Sequence, residues 1–136
     1  MYQTGAVAAH QLFTAVYGLN RGDVQAKEFL GQVAAQHILA ISTITRLELL
    51  AGCRNLREWN LTQIAVRQFT ELELTTEISR IAVTLFEHYR LSHGIALADG
   101  LIAATALSNG IPLVSKNQRH FRFIENLNLL PYPPTP

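Results

Sequence analysis

Three places in this chain carry side chains whose types and spacing could do chemistry. The first is Asp99, one of two aspartates in the sequence, the other being Asp23. Between Gly94 and Lys116 it is the only charged residue, and it stands in the first turn of an expected helix with almost no polar face. Such a helix should be buried. A lone buried carboxylate costs several kcal/mol unless it is paired or metal-bound. A helix N-terminus offsets only about 0.3–1 kcal/mol of that cost. A bound cation or an ionic partner would supply the rest. The competing reading is that Asp99 caps local amides at the helix start. The second place is Glu48. At about 100° per residue it lies beside Ile44 and Ala51, flanking the apolar stripe of its helix. It follows an expected strand by about two helical turns, and an ordinary surface glutamate would look the same. The third is Ser115-Lys116-Asn117, directly after a short apolar run. Polar side chains there can point into a site at the carboxyl end of a strand, or simply begin a turn.

These residues need elements to position them. Ala6-Val7-Ala8 reads as a short buried strand, although alanine is a poor strand former. Leu12, Phe13, Val16 and Leu19 follow at helical spacing, and Asn20 to Asp23 break that helix. Asp23 can cap the next helix, which has Val24, Phe29, Leu30 and Val33 among its apolar positions. His37 to Ile41 reads as a strand, with Ser42 or Thr43 capping the helix after it. Ile44, Leu47, Leu50 and Ala51 form that helix's apolar face, and Gly52 ends it. Leu56 to Phe69 is expected to be helical. Leu72 and Leu74 alternate with Glu71 and Glu73 as in a short strand with one wet face. Ile78, Ile81, Ala82, Leu85, Phe86 and Tyr89 mark an amphipathic helix over Thr76 to Tyr89. His93-Gly94 ends it. Leu97 to Leu107 forms a buried helix closed by Asn109-Gly110. Ile111 to Val114, and then Leu127 to Leu130, read as strands. The alternation of strand and helix argues for a parallel sheet with helices on both faces. Sites in such sheets lie at the carboxyl ends of the strands, here just after Ala8, Ile41 and Val114.

Composition narrows the class. The chain has 136 residues, 49% hydrophobic and 15% charged, with net charge +1. That length suits one domain with one core. The charged fraction is low against about a quarter in ordinary domains, and disorder is excluded by the apolar content. The pI near 8.0 is not the footprint of a strong nucleic-acid binder. Lys116, Arg119 and Arg122 do gather late in the chain, as a solvated loop would also have them. The single cysteine, Cys53, excludes an internal disulfide and a multi-cysteine zinc site. It reads as a small apolar residue at a helix end. No apolar run reaches transmembrane length, and the start lacks a signal-peptide layout, so a cytoplasmic location is expected. Residues 1–131 are expected to form one domain, followed by a proline-rich tail over 132–136.

Three segments together resemble one family. Ile41-Ser-Thr-Ile-Thr-Arg-Leu-Glu-Leu-Leu-Ala-Gly52 resembles the PIN-domain signature around its acidic residue. Ala98-Asp-Gly-Leu-Ile-Ala-Ala-Thr-Ala-Leu107 resembles the second signature, around its central aspartate. Pro112-Leu-Val-Ser-Lys-Asn-Gln-Arg-His-Phe121 resembles the third. Their order and spacing fit, the resemblance covers nearly the whole chain, and it is nearest to the VapC toxins of type II toxin–antitoxin systems. It implies a three-layer α/β/α domain with a central parallel sheet, and a metal-dependent endoribonuclease that hydrolyses RNA phosphodiester bonds. Its carboxylates hold Mg²⁺ or Mn²⁺, hard ions that take oxygen ligands. Carried over, Glu48 and Asp99 are metal ligands and, with Asn117, form the catalytic set. Ser115 supports them from behind, and Lys116 and Arg119 are candidates for holding RNA. The implied partners are an RNA substrate, a VapB-like antitoxin that wraps the domain and inserts into the site, and a second copy of the chain.

The chain departs from the family at its start. PIN domains open with a strand ending in an aspartate, often within Asp-Thr-His or Asp-Thr-Asn. Here Ala8-Ala9-His10 stands in that place, so Ala8 occupies the position of the first metal ligand. Asp23 lies a helix away. His10 could lend a nitrogen, though imidazole suits Zn or Mn better than Mg. The third segment carries His120 where many relatives place an acid. Three readings follow: a ribonuclease impaired at position 8, a PIN fold kept for binding RNA or protein without cleavage, and an unrelated α/β binding domain. In the last, the carboxylates of Glu48 and Asp99 would not converge.

Overall fold

The structure, a computed structural model, describes residues 4–8 and 24–132. Strand β1 spans Thr4–Ala8 and helix α1 spans Val24–Gln36. Strand β2 (His37–Ser42), helices α2 (Thr43–Ala51) and α3 (Leu56–Val66), and strand β3 (Thr70–Leu72) follow. Helices α4 (Thr76–His93) and α5 (Leu97–Asn109), strand β4 (Leu113–Val114) and a 3₁₀ turn over Gln118–His120 complete the described chain. The helix expected around Leu12 to Leu19, the cap at Asp23 and the position of His10 lie outside the described residues.

Among the described residues, four strands form one sheet in the order β3-β2-β1-β4, every neighbour parallel. Val7 pairs with Ala40 on one side and Leu113 on the other, and Ala8 pairs with Val114. Successive residues of a strand point to opposite faces, and β4 makes this plain. Leu113 belongs to an apolar cluster with Ile78, Leu85 and Ile102 from α4 and α5. Val114 belongs to a second cluster with Leu30, Val33, Ile41 and Val66.

The helix that carries Asp99 is held hardest. Ile102, Ala103, Ala104 and Ala106 of α5 are wholly buried, as the apolar circumference of the sequence requires. Thr105 is buried too, and its hydroxyl donates to the Leu101 carbonyl at 2.8 Å, which satisfies it. Helices α4 and α5 meet across Gly100, where an added Cβ would stand 2.8 Å from Phe86 Cε2. Alanine there would gain up to about 1 kcal/mol of helix propensity and lose about 1–3 kcal/mol to overpacking. Gly100→Ala is therefore expected to destabilise by about 1 kcal/mol, read as a lower midpoint in urea. A raised midpoint would mean that the Phe86 ring swings aside freely. The turn between the two helices depends on Gly94, which adopts φ 66°, a left-handed conformation that glycine takes without strain.

The start of α2 is fixed by hydroxyls. Ser42 is its N-cap, and the Ser42 Oγ accepts from the Thr45 N–H at 3.0 Å. The same Oγ donates to Thr45 Oγ1 at 3.2 Å, and both side chains are fully buried. Ser42→Ala is expected to cost about 1–2 kcal/mol, measured by chemical denaturation; an unchanged midpoint would mean water replaces the cap. Thr43 Oγ1 donates to Glu71 Oε2 at 2.7 Å, and Arg46 Nε lies 3.0 Å from Glu71 Oε1, tying α2 to β3.

Several expectations are corrected. The stripe Ile44, Leu47, Leu50, Ala51 is buried only in part on α2: Ile44 packs against the first apolar cluster and Leu50 is half-buried. Leu47 is 52% exposed and Ala51 is exposed, while Thr45 is buried and Leu49 packs into the second cluster. Thr45, bonded to the Ser42 cap, takes a buried place on this helix that a reading by apolarity alone would not give it. Helix α3 stops at Val66, short of Phe69, and Val24 of α1 is exposed. Strand β3 ends at Leu72, which leaves Leu74 exposed. Leu127 to Leu130 is not a strand: only Leu129 makes a parallel bridge, to Leu113. Cys53 does more than fill space, since its Sγ lies 3.3 Å from Thr62 Oγ1 and 3.4 Å from the Leu49 carbonyl.

Candidate active site

In the order β3-β2-β1-β4 the chain builds outward from β1 on one side and returns on the other side at β4. That reversal makes a crevice outside the carboxyl ends of the strands. Ala8 ends β1, in register with Val114 at the end of β4. Ser42 ends β2 and Ser115 follows β4, and both are fully buried. Position 8 is thus flanked by the segments that begin at Ser42 and Ser115.

Asp99 is the third residue of α5, and its side chain is 6% exposed. Asp99 Oδ2 lies 3.1 Å from His120 Nδ1, and the imidazole is 49% exposed. With Nδ1 protonated, the ring donates to the carboxylate and its Nε2 is on the opposite side. The α5 N-terminus adds its favourable dipole, about 0.3–1 kcal/mol for a carboxylate in the first turn. Ala96, the N-cap, contributes no side-chain hydrogen bond. The buried charge of Asp99 thus has a half-exposed histidine beside it.

The loop after β4 is shaped by Ser115. Its Oγ accepts from the Asn117 N–H at 3.0 Å. Its carbonyl accepts from Gln118 Nε2 at 2.8 Å, and that amide also donates to the Leu130 carbonyl at 3.1 Å. Asn117 is half-buried at the entry to the 3₁₀ turn that carries His120. Lys116 and Arg119 are exposed on the same loop. Glu48 is exposed on α2, a helix that packs against α5.

The structure thus brings Asp99 onto His120 and sets Asn117 on the loop between Ser115 and that histidine. Among the described residues, no three His, Cys, Asp or Glu side chains form a group that could hold a metal ion. The available donors are nevertheless of the right kind. Carboxylate and amide oxygens suit hard divalent ions, and Mg²⁺ commonly binds through one or two carboxylates while keeping several waters. Sequence reasoning gave no role to His120 or to Thr45, the buried hydroxyl behind the start of α2. The signal for His120 was its place in the third segment, at a position to which the resemblance assigns an acid.

Residues 14–126 match the PIN domain family, a span that begins after β1. The chain is 34% identical over 108 residues to ribonuclease VapC10 of Mycobacterium tuberculosis, covering 79% of this chain and 80% of that protein. It is 38% identical over 90 residues to ribonuclease VapC19 of the same organism, covering 65% and 71%. Its fold superposes on VapBC2 from Rickettsia felis bound to a promoter DNA fragment, with TM-score 0.79 at 20% identity, covering 93% of this chain and 97% of that one. VapBC-1 from nontypeable Haemophilus influenzae gives TM-score 0.75 at 20% identity, covering 93% and 96%. The chain belongs to the PIN-domain family, as a homologue of the VapC toxin ribonucleases.

Proposed function

We propose that this chain is the toxin of a type II toxin–antitoxin pair and an endoribonuclease dependent on Mg²⁺ or Mn²⁺. The observation that carries the reading is the Asp99 carboxylate, buried at the first turn of α5 and set against His120. A carboxylate kept there at such a desolvation cost needs a task, and the relatives at 34% and 38% identity are named ribonucleases. The proposed domain is one three-layer α/β/α unit over residues 1–131 with a tail over 132–136, and since Tyr132 packs against the second apolar cluster its side chain belongs with the domain.

In this reading Glu48 and Asp99 hold the cation through carboxylate oxygens, and Asn117 completes or orients the set. Bound there, the cation would lower the pKa of a coordinated water and stabilise charge on the phosphodiester. The chain's own residues do the positioning. Ser115 fixes the loop by accepting the Asn117 N–H. Lys116 and Arg119 attract RNA phosphates. Water adds to phosphorus as the P–O bond to the leaving nucleotide breaks, and the leaving oxygen takes up a proton. Ala8 lacks the oxygen ligand expected at the end of β1, so cleavage is impaired. The alternative is an inactive PIN module that binds RNA or protein, and Ala8 is the observation that favours it.

The partner reading has its own support. Leu47 is 52% exposed on α2, and Leu56, Trp59, Leu61 and Ile64 are exposed on α3. Apolar surface on two adjacent helices suits an antitoxin that wraps the domain, and the matched structures in Rickettsia felis and Haemophilus influenzae are VapBC assemblies. A second copy of the chain is the other expected partner. No helix among the described residues is long and apolar enough to cross a membrane, and the proposed location is the cytoplasm. The test is incubation of the purified chain with pooled tRNA and mRNA in Mn²⁺, with and without EDTA. Cutting that EDTA abolishes supports the reading. Cutting that survives EDTA removes the metal from it.

A further inference from the structure

Two segments run side by side next to Asp99. One is the end of α4 with the turn into α5, residues 88–98, and the other is the loop after β4, residues 115–124. They are joined twice: by His120 against Asp99 at 3.1 Å, and by His93 stacked on Phe123 with ring centroids 4.4 Å apart and planes 15° from parallel. Tyr89 braces both rings, edge-on to His93 at 5.7 Å and tilted against Phe123 at 5.1 Å. The Glu125 N–H donates to the Tyr89 hydroxyl at 3.2 Å, which fixes that ring in turn. His93 Nδ1 is held by Ser92 Oγ at 2.7 Å, yet the side chain is exposed. Arg90 donates to the Gly94 and Ile95 carbonyls at 3.1 and 2.8 Å and so holds the turn that leads to Asp99.

The charge around this stack is mixed, with a cationic excess: Arg90, Lys116, Arg119 and Arg122 stand on the two segments, and Glu87, Asp99 and Glu125 at their borders. Arg119 and Arg122 are exposed. A fixed and exposed aromatic plane beside cationic side chains is the chemistry that binds single-stranded nucleic acid, where bases stack on rings and cations follow the backbone. Phe123 is three residues from His120, at most about 11 Å along the chain. The stack is therefore within reach of nucleotides flanking a phosphodiester held at Asp99.

We propose that His93 on Phe123, with the exposed Arg122 next to Phe123 in the chain, forms a subsite that stacks a base of single-stranded RNA next to the cleavage site. The proposal rests on the ribonuclease reading for its substrate, but its test does not require cleavage. The probe is a short mixed-sequence single-stranded RNA with a 5′ fluorescein, titrated with the full chain in EDTA and followed by anisotropy. His93→Ala is expected to weaken binding about tenfold, and His93→Phe to restore it because the ring is kept. Arg122→Gln is expected to weaken binding and to lower the salt slope by about one. Duplex RNA of the same sequence, whose bases are already stacked, should be insensitive to His93→Ala. His93 is exposed, so its variants keep the fold, and circular dichroism checks this.

Equal affinity of the His93→Ala variant and the unaltered chain for single-stranded RNA overturns the subsite, as does absence of binding by the unaltered chain. Loss of antitoxin binding in His93→Ala with RNA affinity unchanged also overturns it and marks a protein-docking surface. If His93-dependent binding is seen but even the Ala8→Asp variant cuts no RNA in Mn²⁺, the subsite stands and the nuclease reading fails. If the chain cuts and His93→Ala changes neither binding nor cutting, the nuclease reading stands and the subsite fails.

Discussion

Replacing Ala8 with aspartate is expected to raise Mn²⁺-dependent RNA cleavage on the order of a hundredfold, since even residues that only support a metal ligand change affinity or activity about 10–100-fold. Position 8 ends β1 between β2 and β4, in register with Val114. A carboxylate there would sit at the carboxyl edge of the sheet, in the crevice that the strand order creates. It would add a third oxygen donor to those of Glu48 and Asp99. The same change should tighten Mn²⁺ binding, which isothermal titration measures independently of catalysis. If Ala8→Asp binds Mn²⁺ no better and cuts no faster than the unaltered chain, position 8 is not a ligand site and the proposed impairment falls.

The second large effect is at Asp99. In the Ala8→Asp background, Asp99→Asn is expected to lower the cleavage rate about a thousandfold. That corresponds to about 4 kcal/mol of transition-state charge stabilisation at about 1.4 kcal/mol per tenfold. Its effect on stability should be small. Removing one partner of a buried ion pair is costly when the other is left buried. Here His120, the partner across the ion pair, is 49% exposed and can be solvated. Asparagine is close in shape to aspartate, and removing the buried charge also removes its desolvation cost. The expected signature is lost activity with an unfolding free energy within about 1 kcal/mol of the parent. Marked destabilisation with full activity would make Asp99 a structural residue.

The two effects rest on sites of different legibility. Asp99 could be read from sequence because it is the one charge in a helix that is otherwise apolar on all sides, and the structure buries it as that pattern requires. Ser42 could be read as a cap because a hydroxyl stands between a strand and a helix, and its Oγ does accept the Thr45 N–H. The outward face of α2 could not be read. Apolar side chains at Leu47 and Ala51 suggested burial, but periodicity records apolarity without saying whether this chain or a partner covers it. Glu48 accordingly lies on an exposed face where a buried stripe had been expected beside it. The same reason explains Trp59 and Ile64, exposed on α3. The contact between His120 and Asp99 was out of reach of spacing rules, since it joins the start of α5 to the 3₁₀ turn across β4. The parallel sheet was legible from the alternation of elements. Its order was not, because that depends on which side of β1 the last strand returns to.

The most direct test of the site is electron paramagnetic resonance of Mn²⁺ titrated with the unaltered chain, with Glu48→Gln and with Asp99→Asn. Free aqueous Mn²⁺ gives a strong signal that diminishes as the ion binds protein. If Glu48 and Asp99 converge on one ion, the unaltered chain depletes that signal, and each single substitution abolishes most of the depletion. If both variants deplete the signal as fully as the unaltered chain, the two carboxylates do not share a cation, and the metal centre assigned to them is wrong.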